Sequence, residues 1–169
     1  MENFHKLLVP IDFSPHSLEA TRVAAGLARR LDASLTLVHV YDPLIFALPD
    51  GMSFVPESVI TKLFEAFRTE LDSARRVALA GGAERVATQL LEGPVATAIV
   101  DFARRGAFDL IVMGTHGRTG MSHLFIGSTA ERVVRLSPCP VLTVKKSGED
   151  ARHHEAEKQP GQGERPQRG

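Results

Sequence analysis

Residues 109–129 read DLIVMGTHGRTGMSHLFIGST, in which a short apolar run is followed by a long segment of small and polar residues. The run from Leu110 to Met113 is typical of a strand that is buried on both faces. The segment after it is longer than the usual connection of about 4–6 residues. The stretch therefore predicts a buried strand that leads into a loop built to hold a ligand.

The alternation of apolar strands and amphipathic helices extends along most of the chain. Apolar runs predict strands at residues 6–12, 35–40, 85–91, 109–113 and 141–145. Helices are predicted between these strands. The first begins at Ser14 and Pro15, and the second shows helical periodicity from Ile60 to Ala78 and ends at Gly81 and Gly82. The third begins at Gly93 and Pro94, with Val95, Ile99, Phe102 and Ala103 facing inward, and the fourth covers residues 128–136. Apolar strands that alternate with helices predict a doubly wound parallel sheet covered on both faces. Ligands bind such sheets beyond the carboxyl ends of the strands, where the winding reverses.

The composition predicts one globular domain followed by a tail. A chain of 169 residues with 43% apolar residues is long enough to bury a full core. From residue 147 to 169 it contains no Val, Ile, Leu, Phe or Tyr. Such a segment cannot bury enough apolar surface to offset its ordering entropy. We therefore expect a domain over residues 1–146 and a disordered tail over residues 147–169.

Charge and cysteine content narrow the classes of partner. The net charge is zero, so no overall field attracts nucleic acid or an anionic membrane. The single cysteine, Cys139, excludes an intrachain disulfide and fits a reducing compartment. The first residues show no signal-peptide core, and no apolar run approaches the ~20 residues that span a bilayer. These features predict a cytoplasmic protein without nucleic-acid or membrane partners.

The glycine-containing loop has two open interpretations. Its glycines, Gly114, Gly117 and Gly127, can adopt positive φ or let a ligand approach the backbone, and its amides can form an anion site. The helix expected from Ser128 directs its positive end to the same place, and His116 and Arg118 can add donors. These parts suit a phosphate chain. Alternatively, the sequence from Ser128 to Glu131 matches a capping box, which requires no ligand.

Asp12 closes the first predicted strand in the segment VPIDFS. Its carboxylate can bind a ribose hydroxyl, an adenine-side group or a hydrated metal ion, or it can simply set up the turn before Ser14.

His39 lies inside a strand and is interpreted as a packed, hydrogen-bonded core residue. Cys139 is interpreted as structural rather than nucleophilic. The chain has no P-loop motif, which excludes a P-loop nucleotide-binding protein. Its first strand–helix turn contains no glycine, which excludes the ordinary dinucleotide-binding fingerprint of Rossmann folds.

Three segments together resemble the universal stress protein family. They are VPIDFS at 9–14, LVHVYDP at 37–43 and IVMGTHGRTGMSHLFIGSTAERVVRLSPCPVLTVK at 111–145. The resemblance covers about residues 3–146. The nucleotide-binding branch of the family has the pattern Gly, two residues, Gly, nine residues, Gly and then Ser or Thr. Here Gly114, Gly117, Gly127 and Ser128 match that pattern.

The resemblance implies a three-layer α/β/α fold of the Rossmann-like, adenine nucleotide alpha hydrolase-like type, with five parallel strands in the order 3-2-1-4-5. It implies ATP as ligand and a magnesium ion on the phosphates, for which no protein ligand is assigned. The implied nucleotide-binding residues are Pro10, Ile11, Asp12, Val40, Met113, Gly114, Thr115, His116, Gly117, Arg118, Gly127, Ser128 and Thr129. It also implies a homodimer formed through the last strand, with Val141, Leu142 and Val144 at the interface.

Three functions remain open on the sequence. The first is an ATP-binding regulatory protein of the stress response, which is favoured because no recognisable catalytic set accompanies the loop. The second is a slow ATPase, or a protein that phosphorylates itself on Ser128 or a nearby hydroxyl. The third is a dimerising scaffold that binds no nucleotide.

Overall fold

The structure, a computed structural model, describes residues 4–42, 56–115 and 127–145. Outside these ranges lie the predicted tail over residues 147–169 and almost all of the loop between the second strand and the second helix. The predicted site residues His116, Gly117 and Arg118 also lie outside them. In chain order the elements are β1 (Lys6–Pro10), α1 (Pro15–Leu31), β2 (Ser34–Tyr41), α2 (Glu57–Ala80), β3 (Val86–Glu92), α3 (Val95–Arg105), β4 (Leu110–Gly114), α4 (Ser128–Leu136) and β5 (Val141–Val144).

The strands form one parallel sheet in the order β3-β2-β1-β4-β5, which confirms the predicted fold. The chain winds outward from β1 through β2 to β3, and then crosses to the other side of β1 for β4 and β5. The winding therefore reverses between β1 and β4. This is the position at which a doubly wound sheet offers a binding crevice.

Each face of the sheet has its own apolar core. Leu7 and Val9 of β1 pack with the alanine-rich face of α1 and with Leu71 of α2. Leu8, between them in sequence, points to the opposite face and packs with Ile99 of α3 and with α4. The side chains of a strand alternate between faces, so β1 contributes to both cores. The three layers follow from this alternation.

The predicted helix signals act as expected in the first half of the chain. Ser14 caps α1, with its hydroxyl accepting from the Ser17 amide, and Pro15 opens the helix. Gly81 ends α2, and Gly82 follows with a φ of 94°, in the left-handed region that favours glycine. Other details of the prediction were wrong. β1 ends at Pro10 instead of Asp12, and Val95 is 40% exposed because it is the first residue of α3, at the rim of the cleft described below.

Among the described residues, no helix combines the length and apolar character that crossing a lipid bilayer requires.

The pairing of the central strands leaves an opening at their carboxyl ends. β1 pairs with β2 over five residue positions, from Lys6 to Pro10, but with β4 only at Leu7 and Leu8. Beyond these positions, the ends of β1 and β4 are paired with their other neighbours and not with each other. This gap between the strand ends is the floor of the candidate site.

Candidate functional site

A cleft of about 510 Å³ lies beyond the carboxyl ends of β1, β2 and β4. This volume is within the range of about 300–1,000 Å³ that is usual for small-molecule sites. Every predicted binding residue that the structure describes lines this cleft. They are Pro10, Ile11, Asp12, Val40, Met113, Gly114, Thr115, Gly127, Ser128 and Thr129. The fold thus brings together three sequence segments that are far apart in the chain, and their role in binding stays a prediction.

Asp12 lies in a tight turn at one lip of the cleft. Its Oδ1 accepts hydrogen bonds from the Ser14 hydroxyl at 2.6 Å and from the Ser14 amide at 3.1 Å. Between them, Phe13 has a φ of 65°, in the left-handed region. A non-glycine residue in this region costs on the order of 1–3 kcal/mol, and such strain persists where the surroundings enforce it. The turn predicted at Asp12 is therefore present, and it is strained.

The hydrogen bonds of this turn set the charge state of Asp12. Partial burial alone would raise the pKa of the carboxyl group. Hydrogen bonds from the Ser14 hydroxyl and amide oppose this effect, with smaller contributions from Ser17 and the Asp12 backbone. Together these hydrogen bonds outweigh the effect of burial and lower the pKa of Asp12 below its ordinary value of 3.8. Asp12 is consequently ionised at neutral pH and can only accept hydrogen bonds from a ligand.

The lowered pKa predicts a pH-dependent difference in stability between the wild type and Asp12→Asn. Because the folded-state pKa is below the unfolded-state pKa, ionised Asp12 stabilises the fold above pH 3.8 and this contribution is lost as the pH falls through the folded value. Urea unfolding should show the wild type as the more stable protein at neutral pH, with a margin that shrinks in acid. A margin independent of pH would contradict the assigned hydrogen bonds.

The opposite lip is formed where the chain leaves β4 and returns to α4. The Gly127 amide donates to the Thr115 carbonyl at 2.8 Å, and the Thr115 amide donates to the Val144 carbonyl at 3.0 Å. These bonds tie the two ends of the 116–126 segment to each other and to β5. The start of α4 is therefore fixed beside the end of β4.

The first turn of α4 differs from the predicted capping box. Gly127 is the N-cap, with a φ of −56° and no side chain to cap the helix, and Ser128 is the first helical residue. The earliest amide bonded within the helix is that of Glu131, which donates to the Gly127 carbonyl. The preceding amides have no acceptor in a regular helix, and they carry the positive end of its dipole. The capping-box interpretation was wrong because the helix starts one residue earlier than a Ser128 cap requires.

Gly114 is needed for packing and not for an unusual backbone conformation. Its φ is outside the positive range. A Cβ atom at this position would lie 3.1 Å from the carbonyl carbon and the Cβ of His16, in the first turn of α1. A glycine here thus lets the end of β4 approach α1 closely. Gly114 thus lines the cleft without the positive φ that the sequence allowed for, and its role in binding stays a prediction.

The structure adds cleft residues that sequence reasoning did not assign. They are Ser17, Val38, His39, Tyr41, Asp42, Phe67, Val95, Ile99 and Ala130. Asp42 directly follows β2, and a carboxylate after a strand beside β1 was a readable signal. Phe67 belongs to the apolar face of α2. It lines the cleft only because of the way α2 packs across the sheet, which its own sequence pattern does not indicate.

Two further sequence interpretations can be compared with the structure. His39 is 7% exposed and its Nδ1 lies 2.7 Å from the Ile11 carbonyl, so the interpretation as a packed, hydrogen-bonded residue is confirmed. Burial raises the pKa of the Cys139 thiol, which makes it a poor nucleophile at neutral pH.

Within the described ranges, no group of three or more His, Cys, Asp or Glu side chains is placed to hold a metal ion.

The fold and the cleft define a class: a three-layer, doubly wound α/β protein with a crevice at the switch point between β1 and β4. The sequence profile of the universal stress protein family matches residues 3–145. A universal stress protein of Methanocaldococcus jannaschii is 39% identical over 144 residues, which are 85% of this chain and 83% of the relative. The chain belongs to the universal stress protein family.

Solved structures show the same fold. A universal stress protein in complex with cAMP aligns with a TM-score of 0.67 at 24% identity, over 85% of this chain and 98% of the other. The universal stress protein of Archaeoglobus fulgidus in complex with dAMP aligns with a TM-score of 0.61 at 22% identity, over 85% of this chain and 100% of the other. At these identities the likeness concerns the fold.

Proposed function

We propose that the cleft binds an adenine nucleotide, with ATP as the ligand, and that the bound nucleotide gives the protein a regulatory role in the stress response. The observation that carries this proposal is the meeting of two chemically different lips in one cleft. An ionised carboxylate in a hydrogen-bonded turn lies at the end of β1, and the first turn of α4, which has no side-chain cap, lies beside the end of β4.

The lining suits the parts of a nucleotide. Ile11, Val40 and Ile99 offer apolar surface for a base, and Asp12 offers an acceptor for a ribose hydroxyl or an exocyclic amine. The first amides of α4 suit phosphate oxygens, since a helix N-terminus combines donors with a favourable dipole. The predicted Gly117, His116 and Arg118 would add to this phosphate end.

Two observations favour an adenine nucleotide over other anions. Related structures with the same fold are complexes with cAMP and dAMP. The described lining also contains two carboxylates, of Asp12 and Asp42, which are suited to hydroxyl and amine groups of a nucleoside and poorly suited to a simple anion. A magnesium ion would be held mainly by the phosphate oxygens and water, as is usual for this ion. This arrangement fits the lack of a described metal-ligand group.

A regulatory role follows if nucleotide changes what the protein presents to a partner. A ligand that binds one conformation better shifts the population towards it. We propose that this occurs in the cytoplasm, in a homodimer formed through β5. The edge position of β5 and the 38% exposure of Leu142 support that interface, whereas Val144 is buried and would contribute only its backbone.

ATP binding is the primary test. Isothermal titration of the full chain with ATP and with adenosine should give saturable binding of ATP, and weaker binding of adenosine because it lacks the phosphates. The chain has no Trp and one Tyr, so adenine retained through purification would dominate its ultraviolet absorbance. No saturable binding of either compound would favour the nucleotide-free scaffold.

The same samples separate binding from turnover. Steady release of inorganic phosphate from ATP, or label from ATP that stays on the protein, would support the enzymatic alternatives. We expect neither at a rate that matches a metabolic enzyme, because the lowered pKa of Asp12 makes its carboxylate a weak general base.

A further inference from the structure

The turn that presents Asp12 is held at a point where regular sheet pairing stops. The ladder between β1 and β2 ends at Pro10 and Val38, and the Ile11 amide still donates to the Val38 carbonyl at 2.8 Å. The next acceptor, the Ile11 carbonyl, lies 2.7 Å from Nδ1 of His39. A carbonyl oxygen can only accept, so this contact places the proton of the ring on Nδ1. A side chain thus replaces the backbone donor of the ladder.

The same imidazole also packs on the strained residue of the turn. The ring centroids of His39 and Phe13 are 4.3 Å apart, and those of His39 and Phe67 are 4.6 Å apart. His39 is therefore enclosed between the turn and α2. The imidazole ring of His39 therefore hydrogen-bonds the Ile11 carbonyl, which precedes Asp12, and packs on the side chain of Phe13, which follows it. These two contacts explain how Phe13 keeps its left-handed backbone conformation.

We propose that His39 is a positioning residue for ligand recognition: through the Ile11 carbonyl and the Phe13 ring it holds the Asp12 carboxylate in place at the cleft. His39 acts through the turn, and the group that meets the ligand is Asp12. Phe67 extends this support to α2, so the placement of α2 on the sheet and the geometry of the Asp12 lip are coupled. The role assigned to His39 rests on the proposed nucleotide site.

Two substitutions separate the hydrogen bond from the ring. His39→Phe keeps an aromatic ring against Phe13 and removes the donor to the Ile11 carbonyl. His39→Asn keeps a donor near the position of Nδ1 and removes the ring. If the hydrogen bond positions Asp12, His39→Phe should weaken ATP binding about tenfold, which corresponds to the loss of one well-made hydrogen bond. His39→Asn should restore most of the affinity.

A matched control removes an aromatic ring elsewhere. Phe108 packs against Phe102, with 5.5 Å between the ring centroids, beside the core on the other face of the sheet and outside the cleft. Phe108→Ala should lower the unfolding midpoint without changing ATP affinity. An equal loss of affinity in Phe108→Ala and His39→Phe would show that general destabilisation is sufficient, and would overturn the proposal.

The titration of Asp12 by carbon-detected NMR gives a readout that needs no nucleotide. Loosening the turn should weaken the bonds from Ser14, and the pKa of Asp12 should rise towards its ordinary value in His39→Phe but not in Phe108→Ala. An unchanged Asp12 pKa together with unchanged affinity in His39→Phe would contradict the proposal. If the wild type binds no ATP, the proposed function fails, while the Asp12 titration still decides whether His39 holds the turn.

Discussion

Thr129→Asp is expected to weaken ATP binding by roughly 100-fold or more, because like charges placed together cost several kcal/mol and about 1.4 kcal/mol corresponds to a factor of ten. Thr129 is an exposed residue in the first turn of α4 and lines the cleft. The same aspartate should stabilise the free protein by about 0.3–1 kcal/mol, since a negative charge complements the helix dipole. Opposite changes in affinity and stability are a result that damage to the fold cannot produce.

The measurements are titration with ATP and with adenosine, together with urea unfolding of the ligand-free variant. Adenosine has no phosphate, so its affinity should be nearly unchanged in Thr129→Asp. Thr69→Asp makes the same chemical change at an exposed position of α2 outside the cleft lining, and should leave ATP affinity as in the wild type. Equal losses for ATP and adenosine in Thr129→Asp would place the phosphates away from α4.

The fold was predictable because each element carries its own local signal. In β1, the apolar residues from Leu7 to Val9 leave no polar face, which indicates a strand buried on both sides. The spacing of Leu71, Ala74 and Ala78 indicates the face of α2 that packs on the sheet. Boundaries were less certain, as at Asp12, because the hydrogen bonds that end a strand depend on its neighbours and not on its own residues.

The candidate site was predictable only in part, for a physical reason. Gly114 and Gly127 stand out in the sequence through their spacing, and at Gly114 the structure shows that glycine is needed because two chain segments approach closely. Phe67 and His39 do not stand out, since an aromatic residue in a helix stripe and a histidine in a strand have the same pattern whether or not they face a cleft. Their contact across the Asp12 turn joins α2, β2 and the end of β1, and no local pattern encodes such a contact.

Gly114→Val is expected to lower the free energy of unfolding by about 1–3 kcal/mol or more, the usual cost of overpacking a close contact. A Cβ atom would lie 3.1 Å from the His16 carbonyl carbon and 3.2 Å from its oxygen, and these backbone atoms belong to the first turn of α1. Relief requires the end of β4 to separate from α1. Because Gly114 also lines the cleft, ATP affinity should fall with stability.

Gly26→Ala is the matched control, because an added Cβ at this position in α1 meets no atom within 4 Å. It should stabilise the protein by about 0.4–1 kcal/mol, since alanine loses less backbone entropy than glycine on folding. Urea unfolding should place the four proteins in the following order of decreasing stability: Gly26→Ala, wild type, Gly114→Ala and Gly114→Val. Gly114→Ala stands below the wild type because its Cβ contact is already tight. A Gly114→Val protein as stable as the wild type would mean that β4 and α1 are not in the close contact that shapes this cleft, and the position assigned to the α4 lip would then fail with it.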